Sequence, residues 1–207
     1  MTATLVAGAL AGYGIAVPVG AIAAYLIALT ARTNLRTGAC AALGVATADG
    51  LYALAAVVGG AAVAPAIRTV QEPLRWASAA VLLALAAHGL TQAVRRHRAP
   101  PATPRDTGAQ LTAPRAYLGL LGLTLLNPMT VIYFAALVLG SGDTVSGAAR
   151  RTLFAAAAFA ASASWQLLLA SGGALLGRVA TGPRARLGTA LASGALITAM
   201  AIRLVWR

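Results

Sequence analysis

The chain reads as an all-α, polytopic membrane protein: six transmembrane helices arranged as two inverted three-helix repeats, with helices one and four interrupted by proline. Three observations predict it. First, 59% of the 207 residues are hydrophobic and only 10% charged, with a mean hydropathy of +0.80, far from a soluble average. Second, no charge occurs from Met1 to Ala31, from Ala116 to Gly142 or from Thr152 to Gly177. A bilayer core of roughly 30 Å asks for about 20 apolar residues per helix. Third, two of the apolar stretches carry a mid-segment proline at matching positions: Gly12-Tyr-Gly14-Ile-Ala-Val-Pro18-Val-Gly20 and Leu121-Gly-Leu-Thr-Leu-Leu-Asn127-Pro128-Met129. Each opens a run of three apolar segments. Because three is odd, the second run enters the membrane inverted.

The six spans fall near residues 4–29, 39–63, 75–94, 116–139, 153–176 and 187–206. They divide into a first repeat, 1–94, a linker, 95–115, and a second repeat, 116–207. The linker holds Pro100, Pro101 and Pro104 with Arg95, Arg96, Arg98, Arg105 and Arg115, the composition of a polar connection. The N-terminus lacks the basic region of a cleavable signal, so the first span is read as retained.

All sixteen basic residues are arginines, and nearly all lie between the apolar runs. That placement fits topology determinants and excludes a nucleic-acid face. Arginines are more numerous in the gaps after spans one, three and five. Those gaps are therefore cytoplasmic, with the 95–115 linker inside and both termini outside. The single cysteine, Cys40, offers no disulfide or paired-thiol chemistry.

Candidate site residues cluster at the breaks. A proline in a helix withholds one donor and crowds the carbonyl four residues back, here Gly14 for Pro18 and Thr124 for Pro128. Such breaks survive in lipid where protein or a water-filled cavity receives the freed groups. Gly12, Gly14 and Gly20 ease unwinding of the first span. Freed carbonyls suit an ammonium group and a half-helix N-terminus suits a carboxylate, a pairing for a zwitterion. Either proline alone reads as a structural kink; the matched pair favours a binding site.

Asp49 is the one acid inside a span, with Tyr52 close by. Placing it at a bilayer centre costs about 2.5–3.5 kcal/mol, so it should face a cavity or a partner. A carboxyl there is suited to take up and release a proton. The competing reading is a hydrogen bond that glues two helices. Ser164 stands thirteen residues after Arg151 as Asp49 does after Arg36, beside Trp165 and Gln166 in span five. His88 reads as a packing residue, and with His97 gives no metal-ligand spacing. No nucleophile–base pair or nucleotide motif appears, so neither an enzyme nor any cofactor is expected.

These residues resemble the lysine-exporter (LysE/RhtB) family of bacterial amino-acid efflux proteins. The resemblance rests on Pro18-Val19-Gly20, the basic turn Arg32 to Gly38, Gly44-Val-Ala-Thr-Ala-Asp49-Gly-Leu-Tyr52 and Asn127-Pro128, and it spans the chain. Two departures stand out: Ala21 replaces a second proline after Gly20, and Met129 follows Asn127-Pro128 where a basic residue is common. The resemblance implies a secondary exporter of the bacterial inner membrane, driven by the proton gradient and carrying amino acids or related small metabolites. Its substrate would meet Gly14, Pro18, Gly20, Asp49, Tyr52, Thr124, Asn127, Pro128 and Gln166, with Asp49 also coupling protons. A metal or small-cation exporter, a channel and a non-transporting membrane scaffold are the alternatives. Gly8-x-x-x-Gly12 fits close helix packing within the chain or in a homodimer.

Overall fold

In the computed structural model every described element is an α-helix, and the described residues are 1–18, 20–59, 63–98, 111–127, 130, 133, 147–179 and 183–205. The helices are α1 (Thr2–Ala16), α2 (Ala21–Arg32), α3 (Leu35–Gly59), α4 (Val63–Arg98), α5 (Ala113–Leu125), α6 (Ala148–Val179) and α7 (Pro183–Val205). Pro128, Met129 and residues 99–110 of the linker lie outside the described residues, as does most of the second half of span four.

Three segments are long and apolar enough to cross a membrane by themselves: Leu35–Gly59, Trp76–Arg95 and Ala148–Val179. The α1–α2 pair counts as a fourth span, bent by 76° at its break. The sequence predicted that interruption, yet its extent is smaller than expected. Gly12 and Gly14 remain helical within α1, and the chain leaves the helix only after Ala16. Gly20 is the N-cap of α2 with φ −105° and ψ −173°, extended backbone open to any residue.

Element ends follow local chemistry. Thr112 sits extended at the N-cap of α5 with Pro114 in the first turn, where a missing N–H costs nothing, so α5 begins slightly before residue 116. Gly147, at φ +93°, turns the chain into α6, and its carbonyl accepts the Arg151 N–H at 3.1 Å. Arg32 and Arg178 close the last turns of α2 and α6, where cations complement the helix dipole. The region between spans two and three differs most from expectation. Residues 64–74, with Pro65, Arg68, Glu72 and Pro73, read as a gap but lie in the first third of α4. Pro65 falls in the first turn, where proline is tolerated; Pro73 lies inside the helix. At its other end α4 continues to Arg98, three residues beyond the residue that opened the linker.

In the packing, α3 lies between α5 and α6, α6 also covers both α1 and α2, and α4 pairs with α7. Glycines set the register. A side chain on Gly8 would meet Phe154, on Gly12 Ala158, on Gly173 Ile27 and on Gly177 Ala31, backbone atoms in every case. These pairs keep one constant sequence offset. Helix α6 therefore runs in the same chain direction as both halves of the bent span, and the offset sets residues 163–166 at the level of its break. Gly8-x-x-x-Gly12 is thus used within the chain, where small residues let backbones approach in lipid. Helix α3 runs along α5 in a similar way, with Gly44 against Tyr117 and Leu121 and Tyr52 at the end of α5.

Candidate functional site

Two apolar clusters flank the middle of the bundle. One joins Ala11 of α1, Ala53 and Ala56 of α3 and Phe154, Ala155 and Ala158 of α6, with Tyr52 and Tyr133 packed against it. The other gathers Ala24, Leu26 and Leu29 of α2 with Val45 of α3, Leu120 and Leu123 of α5 and Ala170 of α6, together with parts of α4 and α7. Between them α3, α5, α6 and the α1–α2 pair change character at one level. On α3 the interval holds Asp49, on α6 it holds Ser162 and Gln166, the α1–α2 pair breaks there, and α5 ends there.

Asp49 is the centre of that layer. It is 2% exposed, and its Oδ2 accepts the hydroxyl of fully buried Ser162 at 2.6 Å. The bond crosses from α3 to α6. One turn beyond Ser162 on the same face of α6 lies Gln166, 5% exposed. Its Oε1 has no hydrogen-bond partner among the described residues. A buried amide oxygen left so is uncommon and calls for a reason. Trp165 Nε1 also lacks one, but the adjacent position points it to another face.

Ser164, singled out by its spacing, does not face Asp49. Its hydroxyl pairs with Tyr13 OH at 2.8 Å and bonds Ala161 O at 2.8 Å, stitching α1 to α6 just before the break. Spacing found the right turn of the right helix, and Ser162, two residues earlier, is the hydroxyl that reaches the acid.

The second break is capped from within. Tyr52 OH donates to Leu125 O at 2.5 Å, and Ser78 Oγ of α4 donates to Leu126 O. The Thr124 carbonyl, expected to be freed by Pro128, accepts Asn127 N–H at 3.0 Å, and its hydroxyl donates to Leu120 O at 2.8 Å. Asn127 Nδ2 donates to Thr130 Oγ1 at 3.2 Å. Three successive carbonyls at the end of α5 are therefore already engaged. Removing both caps, in a Tyr52→Phe, Ser78→Ala double variant, should lower stability by about 2–4 kcal/mol, at about 1–2 kcal/mol per orphaned carbonyl. The melting temperature of purified protein in detergent reads this directly, each single variant falling between.

The first break is built differently. Gly20 carries no side-chain cap, and the first turn of α2 holds no acid. A side chain at Gly14 would strike Tyr133 OH, so Tyr133 reaches the first break. Gly14 and Pro18 are exposed, and Gly20, Tyr52 and Asn127 are half-buried. The structure thus brings Asp49, Tyr52, Thr124, Asn127 and Gln166 to the layer, with Gly20 beside it. Pro128 lies outside the described residues. Ser162, Ser78 and Tyr133 were not singled out by the sequence. Tyr133, the first aromatic after Asn127-Pro128, mirrors Tyr25 after Pro18, and that is the one signal that could have found it. His88 is exposed, far along α4 from the layer.

Long apolar helices closed around a thin polar layer, with a bent span beside it, define a multi-pass membrane protein. The chain belongs to the LysE type translocator family, whose model matches residues 14–207. The resemblance read from the motifs is thereby established, and the family it names is one of membrane translocators of small molecules. No curated protein and no solved structure matches the chain.

Proposed function

We propose that this protein is a secondary exporter of the bacterial cytoplasmic membrane that moves amino acids or related small metabolites out of the cell in exchange for protons. The observation that carries the reading is the buried Asp49–Ser162 pair, a carboxylate held between the two repeats at the level of the breaks. In this reading Asp49 alternates between the substrate's ammonium and a proton taken from outside. The uncapped start of α2 at Gly20 receives the substrate's carboxylate, and Gly14, Pro18, Tyr52, Thr124, Asn127, Pro128 and Gln166 complete the surroundings.

The packing supports six spans in two inverted repeats, 1–94 and 116–207. α1 packs on α6, the middle helix of the other repeat, and α5 packs on α3 in the same exchanged manner. The remaining main pairs, α3 with α6 and α4 with α7, join each helix to its counterpart. Two halves rocking about such an axis would open the polar layer to each side in turn.

Membrane vesicles loaded with a labelled amino-acid mixture test the function. An imposed inward proton gradient should accelerate release, and a protonophore should return release to the rate of vesicles lacking the protein. Release indifferent to the protonophore would remove proton coupling. Orientation has its own check. With both termini outside, a C-terminal alkaline phosphatase fusion should be active and a C-terminal green fluorescent protein fusion exported without fluorescence, whereas fusions at residue 105 should behave in the opposite way.

A further inference from the structure

Arg32 closes α2, yet its charge is not left at the end of the helix. Its Nε donates to Ala28 O at 3.0 Å, which folds the side chain back along α2. The guanidinium then lies on the backbone of α4, where a β-carbon at Gly89 would meet Arg32 Nη1 and stand 3.4 Å from Cζ. Gly89 precedes Arg95, the end of the apolar span Trp76–Arg95, by about 9 Å of helix rise. A positive charge is thus laid into the span, nearly two turns short of its end. Topology needs arginines only in the connections, and a cation at this depth is costly without an answering group.

The exposed face of α4 changes character at the same depth. Val81 and Ala84 are exposed and apolar. His88, Thr91 and Arg95 follow on that face, one helical turn apart, and are exposed and polar. Thr91 Oγ1 donates to His88 O at 2.9 Å, so the donors of this stripe are the His88 ring and the Arg95 guanidinium. The described acids lie elsewhere, Asp49 in the middle layer and Glu72 in the first third of α4. Helix α2 packs chiefly on α6 and α7, and α4 on α7, so Arg32 reaches from one group to the other.

Apolar surface within the span and cationic donors towards its end match the two parts of a phospholipid. We infer that Arg32, His88 and Arg95 form a binding site for an anionic phospholipid, holding its phosphodiester while an acyl chain lies along Val81 and Ala84. Arginine suits this role because its planar fork gives phosphate two parallel hydrogen bonds. Basic pockets between helices at the cytoplasmic side bind anionic headgroups, and the proposed orientation puts this end there. One bound lipid ties α2, the second half of the bent span, to α4. Such a site is independent of what the protein carries.

Native mass spectrometry of the purified full chain, with graded phosphatidylglycerol or phosphatidylcholine in detergent, reads the affinity. Each arginine at an anionic headgroup is worth about fivefold (about 1 kcal/mol), so phosphatidylglycerol should bind at least about tenfold tighter. Arg32→Gln and Arg95→Gln should each weaken it about fivefold. Arg115→Gln removes the same charge from the exposed start of α5 and should weaken it less than about twofold. Gly89→Ala changes no charge, yet its β-carbon displaces the Arg32 guanidinium and should weaken phosphatidylglycerol by about threefold or more. That loss separates a built site from general attraction to a basic surface. Phosphatidylglycerol should also raise the melting temperature, and inorganic phosphate should not; an equal rise with inorganic phosphate overturns the lipid assignment. So do equal affinities for the two lipids, equal losses in Arg32→Gln and Arg115→Gln, or a Gly89→Ala protein that binds as wild type does. Should Arg32→Gln not fold, Arg95→Gln and Gly89→Ala decide, since Arg95 is exposed and the alanine moves only the end of a flexible side chain.

Discussion

Replacing Asp49 by asparagine should leave the protein in the membrane at close to its normal level and reduce gradient-driven efflux by roughly a hundredfold or more. The substitution is almost isosteric. Asparagine keeps an oxygen in the place of Oδ2 to accept the Ser162 hydroxyl, so the α3–α6 crossing retains its hydrogen bond. It also removes the expense of an acid inside the bilayer, so folding should not suffer. What it takes away is the charge and the titratable proton. Losing one partner of a buried, desolvated ion contact costs about 2–5 kcal/mol, and each 1.4 kcal/mol or so is tenfold. Ser162→Ala is the graded companion. It deprives the carboxylate of one donor without removing it, and should reduce efflux about tenfold, consistent with a charge-assisted bond of about 1.5–3 kcal/mol. Efflux rate normalised to protein level separates the two from wild type. Full gradient-driven efflux in Asp49→Asn would reduce the acid to helix-to-helix glue.

Asp49 was legible because a carboxylate amid apolar residues has almost no bland explanation. Pro18 and Asn127-Pro128 were legible because a backbone donor missing at matched places is a covalent fact, independent of folding. Ser162 was not. Span five reads Ala161-Ser-Ala-Ser164, and two hydroxyls two residues apart are equivalent in composition while pointing to different faces of a helix. Only the azimuth of α6 against α3 decides between them, and that is set by glycine contacts distributed over the whole bundle. Ser78 escaped for a similar reason: its meaning comes from Leu126 O, forty-eight residues away. The helical start of α4 escaped because Pro65, Pro73 and two charges, Arg68 and Glu72, outweigh the local helical pattern, whereas the structure continues α4 through both prolines. The breaks themselves were foreseen more open than they are. Sequence states which donors are missing, and tertiary partners such as Tyr52 decide which carbonyls remain available.

Gly12→Val should cause the largest loss of stability of any single change in the first span, at least about 1–3 kcal/mol, the range for overpacking a filled contact. A β-carbon at Gly12 would run into Ala158 O and stand 2.9 Å from both Ala158 Cα and Ala161 Cβ. Two of those atoms are backbone, so no rotamer change relieves the clash, and α1 has to lift from α6. In lipid no hydrophobic force draws the helices back, because acyl chains wet the separated faces as well as a neighbouring helix does. Close van der Waals contact is what the pair would forfeit, along with the Tyr13–Ser164 bond one residue further on. Helix α1 has little else to hold it, since its contacts with α3 are sparse. Gly20→Ala supplies the contrast. Its β-carbon meets nothing within 4 Å, and φ −105° is open to alanine, so stability should stay within about 0.5 kcal/mol of wild type. Thermal unfolding in detergent compares the two. A Gly12→Val protein as stable as Gly20→Ala would mean that α1 does not dock on α6 through this face, and the constant register that sets Gln166 beside the break would lose two of its four fixed points.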